Sequence, residues 1–340
     1  MPMPQPQTLE ELRTLLRHLP APDEQARQQA RQRDAVLTKP PGALGRLEEI
    51  AAFIAAWQGH HPPSAERVKV VVFAANHGVA AQGVSAFPPE VTAQMMANFE
   101  AGGAAINQLC DAFGLALQVL PLAALAPTGD IAREDALSEQ QLLAAFNAGL
   151  SSAAEDIDLL CIGEMGIANT TVAAALLHAL LGGTAEDWVG PGTGLDDEGV
   201  RHKAAVVATA VQRVAGEDDP LQLLRRIGGH EFAALAGAII GARLARVPVL
   251  LDGFMTAAAA AVLHAASPDA IAHCLAGHVS AEPAHARALE RLGLQPLLNL
   301  GMRLGEASGA ALATQVVKAA LATHNGMATF DSAGVSGKQR

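Results

Sequence analysis

Hydrophobic and polar positions change their period near residue 66. Over residues 8–19 (TLEELRTLLRHL) leucines recur at helical spacing. Pro20 and Pro22 close that run, and Asp23 stands where a cap opens a second helix reaching about Leu37. The rigid break Lys39-Pro40-Pro41-Gly42 precedes a third amphipathic run from Leu44 to Trp57. The first 65 residues therefore read as a helical arm or lobe.

From Val68 the texture shortens. Val68–Ala74 (VKVVVFA) is a β-branched run that predicts a buried strand. Similar runs follow at Ala116–Leu120, Ile157–Ile162 and Val247–Leu251. Each leads through glycine or polar residues into helical spacing, over 91–112, 170–181, 199–215 and 231–245. The alternation predicts an α/β fold, a parallel sheet with helices on both faces and ligands at the carboxyl ends of its strands. Residues 126–140 and 216–220 read as exposed connections. The last fifteen residues show little apolar periodicity, which predicts a fraying tail.

Composition sharpens this picture. Half of the residues are hydrophobic but only 3% are aromatic, with no tyrosine, so alanine, leucine and valine must fill the core. That favours close-packed helices over a β-sandwich. The net charge of −11, with no Lys/Arg run, argues against a nucleic-acid partner. An anionic ligand then needs backbone N–H groups and a few chosen cations. Three widely spaced cysteines, Cys110, Cys161 and Cys274, form no CxxC pair, and Cys161, in an apolar run, reads as a buried reduced thiol. The polar, proline-rich start MPMPQPQ is unlike a signal peptide, and no apolar stretch is long enough to span a bilayer. A soluble cytoplasmic protein is expected, with no membrane insertion.

Candidate chemistry sits in glycine-rich segments. Gly301-Met302-Arg303-Leu304-Gly305-Glu306-Ala307-Ser308-Gly309-Ala310 sets one carboxylate among glycines and small apolar residues. Such a setting raises a carboxyl pKa and suits a general base near neutrality. Residues 157–171 (IDLLCIGEMGIANTT) run from a strand through a glycine turn into a helix opening at Asn169 or Thr170. The free N–H groups there make an anion site, to which Thr170 and Thr171 add hydroxyls. Glu164 at the strand end needs a partner, and a sugar hydroxyl would serve. Gly190-Pro191-Gly192-Thr193-Gly194-Leu195 departs from GxxxxGK[ST] and from GxGxxG, which excludes a nucleoside triphosphatase. Lys203, one or two turns on, can meet a phosphate. His77 ends the first strand's loop, and Phe87 lies in a small-residue loop from which it can stack on a flat ligand. The twelve histidines do not make a metal site: His60 and His61 are adjacent, and His278, Glu282 and His285 lack HExxH spacing. No Gly-x-Ser-x-Gly elbow is present for serine chemistry.

Seven co-linear stretches together resemble one family. They are residues 39–48 (KPPGALGRLE), 76–79 (NHGV), 163–171 (GEMGIANTT), 228–231 (GGHE), 248–254 (PVLLDGF), 280–282 (SAE) and 302–306 (MRLGE). The chain resembles the nicotinate-nucleotide:dimethylbenzimidazole phosphoribosyltransferases of the cobalamin lower-ligand pathway along nearly its whole length. The resemblance implies a Rossmann-like large lobe over residues 66–285. A small lobe is implied from both chain ends, residues 1–65 and 286–340, the latter carrying Glu306. It implies a homodimer that moves phosphoribose from nicotinate mononucleotide to dimethylbenzimidazole with inversion, using no metal and no organic cofactor. By motif position Glu306 is the general base. The resemblance implies that Glu164 and the turn Gly166, Asn169, Thr170 and Thr171 bind the ribosyl phosphate. Gly192, Lys203 and Ser280 assist, and Asp252 lies in a strand-end motif near the site. Two departures stand out: Asn76 where many members carry aspartate, and Phe87 in a variable part of the acceptor loop. The rival expectation is a sugar-phosphate binding or isomerising domain, which explains 163–171 and leaves Glu306 unassigned. A purely structural oligomer explains the composition alone.

Overall fold

Every residue of Val68–Ala74 (β1) is buried, as helices on both faces of a parallel sheet require. The computed structural model describes residues 3–153 and 156–336. Among these, β1 pairs in one parallel sheet with β2 (Ala116–Pro121), β3 (Leu159–Met165), β4 (Val249–Leu251), β5 (Cys274–His278) and β6 (Pro296–Leu298). The order is β2-β1-β3-β4-β5-β6. The chain steps outward from β1 to β2, then returns to the other side of β1. That reversal opens a crevice at the carboxyl ends of the strands. Register sets Phe73 against Glu164, Ile162 against Leu251 and Leu251 against Ala276. Glu164, Asp252 and His278 therefore emerge at neighbouring strand ends.

The helices sort by face. α1 (Leu9–Arg17), α2 (Glu24–Asp34) and α3 (Arg46–Gln58) come first, then α4 (Glu90–Glu100) and α5 (Ala105–Phe113) between β1 and β2. α6 (Glu139–Ser152) precedes β3. After it come α7 (Asn169–Leu181), α8 (Asp197–Arg213), α9 (Pro220–Ile227) and α10 (His230–Leu244). α11 (Phe254–Ala266), α12 (Pro283–Arg291) and α13 (Ser308–Gly326) follow β4, β5 and β6. Strand side chains alternate between two cores, as the pleat requires. Val70, Val72 and Cys161 pack with Ile50 and Ile54 of α3, Ile106 of α5 and Val317 and Leu321 of α13. Val71, Phe73 and Ile162 pack with Phe146, Val172, Ile239 and Val262 on the other face. The N-terminal helices divide. The leucines of α1 join the second core, and the Leu9 amide donates to Glu139 of α6. α2 and α3 pack together, and α3 meets α13.

Several expectations shift for local reasons. The expected helix 91–112 breaks at Gly102, whose φ of +75° ends α4. The expected strand 157–162 begins later, because the Asp158 side chain accepts from the Glu66 and Arg67 amides, each at 3.0 Å. β5 (CLAGH) and β6 (PLL) lack a β-branched run, so periodicity does not reveal them. The tail is held rather than frayed near 330: Phe330 N donates to Val36 O at 3.0 Å, and Leu37 bridges Thr329. Residues 337–340 of that tail lie outside the described residues.

With few aromatics, the core gains density by bringing helices close. α6 and α10 cross where Gly149 faces the Ala234 carbonyl and Gly237 faces the Phe146 carbonyl, so that a Cβ on either would overlap the opposing backbone. Such an overlap can only be relieved by moving a helix. Gly237→Ala is expected to lower stability by about 2–3 kcal/mol, the usual cost of overpacking, read as a lower urea midpoint. An unchanged midpoint would show that the two helices separate freely.

Candidate active site

β3 ends in Glu164 and Met165, and the chain turns through Gly166 and Ile167 into α7. Ala168 caps that helix with φ +74° and offers no side-chain acceptor; Asn169 N and Thr171 N donate to Gly166 O and Ala168 O, which leaves the Thr170 N–H for a ligand. The turn is anchored from α4, where the buried Thr92 Oγ1 accepts from Ile167 N at 3.2 Å. Glu164 is buried, and one oxygen accepts a very short hydrogen bond from the Asn169 amide. Burial pushes the Glu164 carboxyl well up, and the neighbouring carboxylates Glu231, Asp252 and Glu306 push the same way.

Glu306 approaches Glu164 from the other end of the chain. Gly305, Glu306 and Ala307 all have positive φ, +87°, +60° and +62°. For the two non-glycine residues this conformation costs of order 1–3 kcal/mol each. Backbone contacts hold it. Glu306 N donates to Glu164 O at 3.1 Å, and Gly163 lies so close to Ala307 that a Cβ there would overlap the Ala307 nitrogen. The Glu306 side chain is buried, and its Oε2 has no hydrogen-bond partner. Desolvation raises its pKa, and the Ile106 backbone amide acts the other way.

Two cations meet on the 190–193 loop. Lys203 of α8 is fully buried and donates to Thr170 Oγ1 at 2.7 Å and to Gly190 O at 3.2 Å. Burial brings its pKa down to about 8, and Glu282 opposes that shift. Arg303 donates to Gly192 O at 2.9 Å. Glu282, mostly buried, has a raised pKa from desolvation, countered by Lys203 and Arg303. The loop after β1 is pinned alongside: Thr193 Oγ1 accepts from Ala86 N at 3.0 Å and lies 3.0 Å from Ser85 Oγ.

These elements enclose a cleft of about 420 Å³ at the carboxyl ends of β3, β4 and β5. Of the residues expected in a site, Phe87, Glu164, Gly166, Asn169, Thr170, Gly192, Ser280 and Glu306 line it. Phe87 stands at its mouth, 52% exposed. Four others stand behind the wall. Lys203 backs Thr170. Thr171 is buried, with its hydroxyl unpartnered. His77 forms a very short pair with Glu231, both side chains fully buried. Asp252 accepts from Gly309 N and Ala310 N. Sequence reasoning gave no separate role to Arg303 or Thr193, nor to the apolar wall of Val91, Met95, Met165, Ile167, Phe254, Met255 and Leu304. Arg303 was open to discovery, as a cation three residues from Glu306. Val91 and Met95, one helical turn apart on α4, carried no chemical signal. Among the described residues, no three His, Cys, Asp or Glu side chains are grouped to hold a metal, and no helix is long and apolar enough to cross a membrane.

A parallel α/β sheet with an anion turn, two cations and a buried carboxylate at one crevice defines an enzyme that handles a phosphorylated small molecule. The chain belongs to a phosphoribosyltransferase family, whose model matches residues 19–335. A similar protein from Rhizobium etli, named nicotinate-nucleotide--dimethylbenzimidazole phosphoribosyltransferase, is 59% identical over 330 residues, 97% of each chain. One of the same name from Methylorubrum extorquens is 59% identical over 333 residues, again 97% of each. The crystal structure of CobT from Thermus thermophilus superposes with a TM-score of 0.87 at 44% identity, covering 92% of this chain and all of that one.

The two threonines separate the anion turn from its scaffold. Thr170→Ala is expected to weaken ribose 5-phosphate binding at least fivefold, because its hydroxyl lines the cleft and carries the Lys203 contact. Thr171→Ala should change affinity less than twofold, because that hydroxyl is enclosed. Calorimetric titration decides, and equal losses would mean that the turn itself had collapsed.

Proposed function

We propose that this chain transfers the 5-phosphoribosyl group of nicotinate mononucleotide to 5,6-dimethylbenzimidazole, with inversion at the anomeric carbon. The products are α-ribazole 5′-phosphate and nicotinate, and the reaction belongs to cobalamin lower-ligand synthesis. The observation that carries this reading is Glu306, a desolvated carboxylate with a free oxygen, facing the same cleft as the α7 anion turn. The names of relatives 59% identical along the chain support it. The names of these relatives do not favour the sugar-phosphate binding or isomerising alternative.

The donor phosphate binds at the Gly166–Thr170 turn and Gly192, with Lys203 behind Thr170 and Arg303 at the loop. The bond from C1′ to the pyridinium nitrogen breaks, and its electron pair leaves with nicotinate, whose ring becomes neutral. Positive charge develops on the ribose, where Glu164 stabilises it when ionised. The lone pair of one benzimidazole nitrogen forms the new bond to C1′. The resulting cationic ring loses the proton of its other nitrogen to Glu306. The methionine and valine side chains around Phe87 supply the apolar wall for the flat acceptor. No residue in this sequence of steps calls for a metal or cofactor.

The reading extends to a cytoplasmic homodimer. Leu300, 61% exposed, offers apolar surface for a second copy, and Leu304, 57% exposed, continues it into the cleft wall. Sedimentation at micromolar concentration tests the dimer.

Incubation with nicotinate mononucleotide, with and without dimethylbenzimidazole, tests the activity. Acceptor-dependent release of nicotinate together with a phosphorylated riboside is expected, and no release would remove the reading. Glu306→Gln should keep the fold and bind both substrates but lose about 10²–10⁴ in turnover, the usual contribution of a general base. Because burial raises the Glu306 pKa, wild-type turnover should fall with acid at a pH above the ordinary carboxylate range. The Gln variant should lose the Glu306 limb and keep only the one set by Glu164; wild-type turnover in it would sink the base assignment. Phe87→Ala should lower the preference for dimethylbenzimidazole over benzimidazole by about tenfold, since a contacted methyl is worth about 1–3 kcal/mol. Paired-acceptor competition reads this, and an unchanged product ratio places Phe87 outside the acceptor contact.

A further inference from the structure

The turn that presents Glu306 lacks the usual means of holding itself. α13 opens at Ala307, which has no side-chain oxygen to satisfy the first N–H groups of the helix. The missing acceptor comes from another strand. Asp252, immediately after β4, is buried, and its Oδ1 accepts from Gly309 N at 2.7 Å and from Ala310 N at 2.9 Å. Both bonds end on the same oxygen, and Oδ2 has no partner. The ring of His278 completes the seat. It lies against Gly309, where a Cβ would overlap it, and its Nε2 is 3.6 Å from Asp252 Oδ1. Asp252 does not line the cleft, whereas Glu306, two residues before α13, does.

We propose that Asp252 is the positioning residue of this active site, a cap supplied by β4 that holds the first turn of α13 and thereby fixes the Glu306 carboxylate in the cleft. This rests on the general-base reading of Glu306. The physical argument is one of constraint. Gly305, Glu306 and Ala307 occupy the left-handed region, and two of them have a Cβ that disfavours it. A turn of that kind persists only where both ends are fastened. β3 fastens one end, through Glu164 O accepting from Glu306 N. Asp252 fastens the other, through two hydrogen bonds that its Oδ1 accepts from the α13 backbone. Without that cap the turn relaxes toward ordinary φ, and the carboxylate swings away from the acceptor. Misplacement of a catalytic group by an ångström can lower a rate a hundredfold while leaving substrate affinity intact.

Because both bonds end on one oxygen, geometry and charge can be separated. Asp252→Asn keeps an Oδ1 that accepts from both amides, and Asp252→Leu keeps the bulk without an acceptor. The leucine variant should lose at least 100-fold in kcat, with KM for nicotinate mononucleotide within threefold of wild type. The asparagine variant should recover kcat to within about tenfold. In a Glu306→Gln background, Asp252→Leu should add less than threefold, since a residue acting through the base has nothing further to remove. A folded asparagine variant as inactive as the leucine one would overturn the proposal, as would a rise in KM in place of a fall in kcat. Additive losses in the double variant would also overturn it. If the leucine variant does not fold, the asparagine variant and its combination with Glu306→Gln decide alone. Normal turnover in Glu306→Gln by itself would remove the base, and the positioning role with it. A loss there, with Asp252→Leu unaffected, would remove only the positioning role.

Discussion

The hydrogen bond from Glu306 N to the carbonyl of Glu164 ties the turn before α13 to the end of β3, and with it two carboxylates of one cleft. It forms because Gly163 has no side chain, which lets the backbone at 305–307 lie directly on β3. One strand residue and one turn residue, Glu164 and Glu306, thus meet the same cleft. Their separation is set by backbone rather than by flexible side chains. The left-handed conformations at Glu306 and Ala307 are a local cost, which the packing of α13 against the sheet offsets.

Charge is handled by the same economy. A chain with a net charge of −11 repels anions in bulk, so the anion site proposed for this cleft has to be assembled locally. The Thr170 N–H of α7, the buried Lys203 and Arg303 are brought to one loop, and Glu282 balances the cations from within. Three carboxylates at neighbouring positions, Glu164, Asp252 and Glu306, have raised pKa values because they share a desolvated region. For Asp252 the shift is from 3.8 to about 7. Its folded-state pKa lies above the unfolded one, so its contribution to stability is fully present below about pH 4. That contribution is lost as pH rises through about 7. A carboxylate cluster of this kind carries a cost in stability near neutrality.

The core has to support that cost with small residues. Alanine-rich helices cannot bury the large areas that aromatic side chains supply. They gain contact by close approach instead, as at the Gly149 and Gly237 crossing of α6 and α10. The same principle seats Gly309 against His278 at the opening of α13. Tight backbone packing both stabilises the scaffold and fixes the site.

Much of this was legible in the chain. The run VKVVVFA, the glycine turn after Glu164 and the isolated carboxylate at Glu306 state strand, anion turn and acid in local sequence, and local sequence carries such signals because propensity and turn chemistry are short-range. β5 and β6 were not legible, because CLAGH and PLL become strands only when β4 offers a register to pair with. Nor was the partition of the site. Thr170 and Thr171 look equivalent in sequence, but helical geometry turns one toward the cleft and the other into the core. His77 follows a strand end, where ligands bind, yet Glu231, 154 positions away, meets it in the interior. Sequence alone determined which residue types stand where local rules demand them. Tertiary structure decided which of them meet, because contacts between residues far apart in the chain depend on sheet order and helix packing that no local pattern encodes.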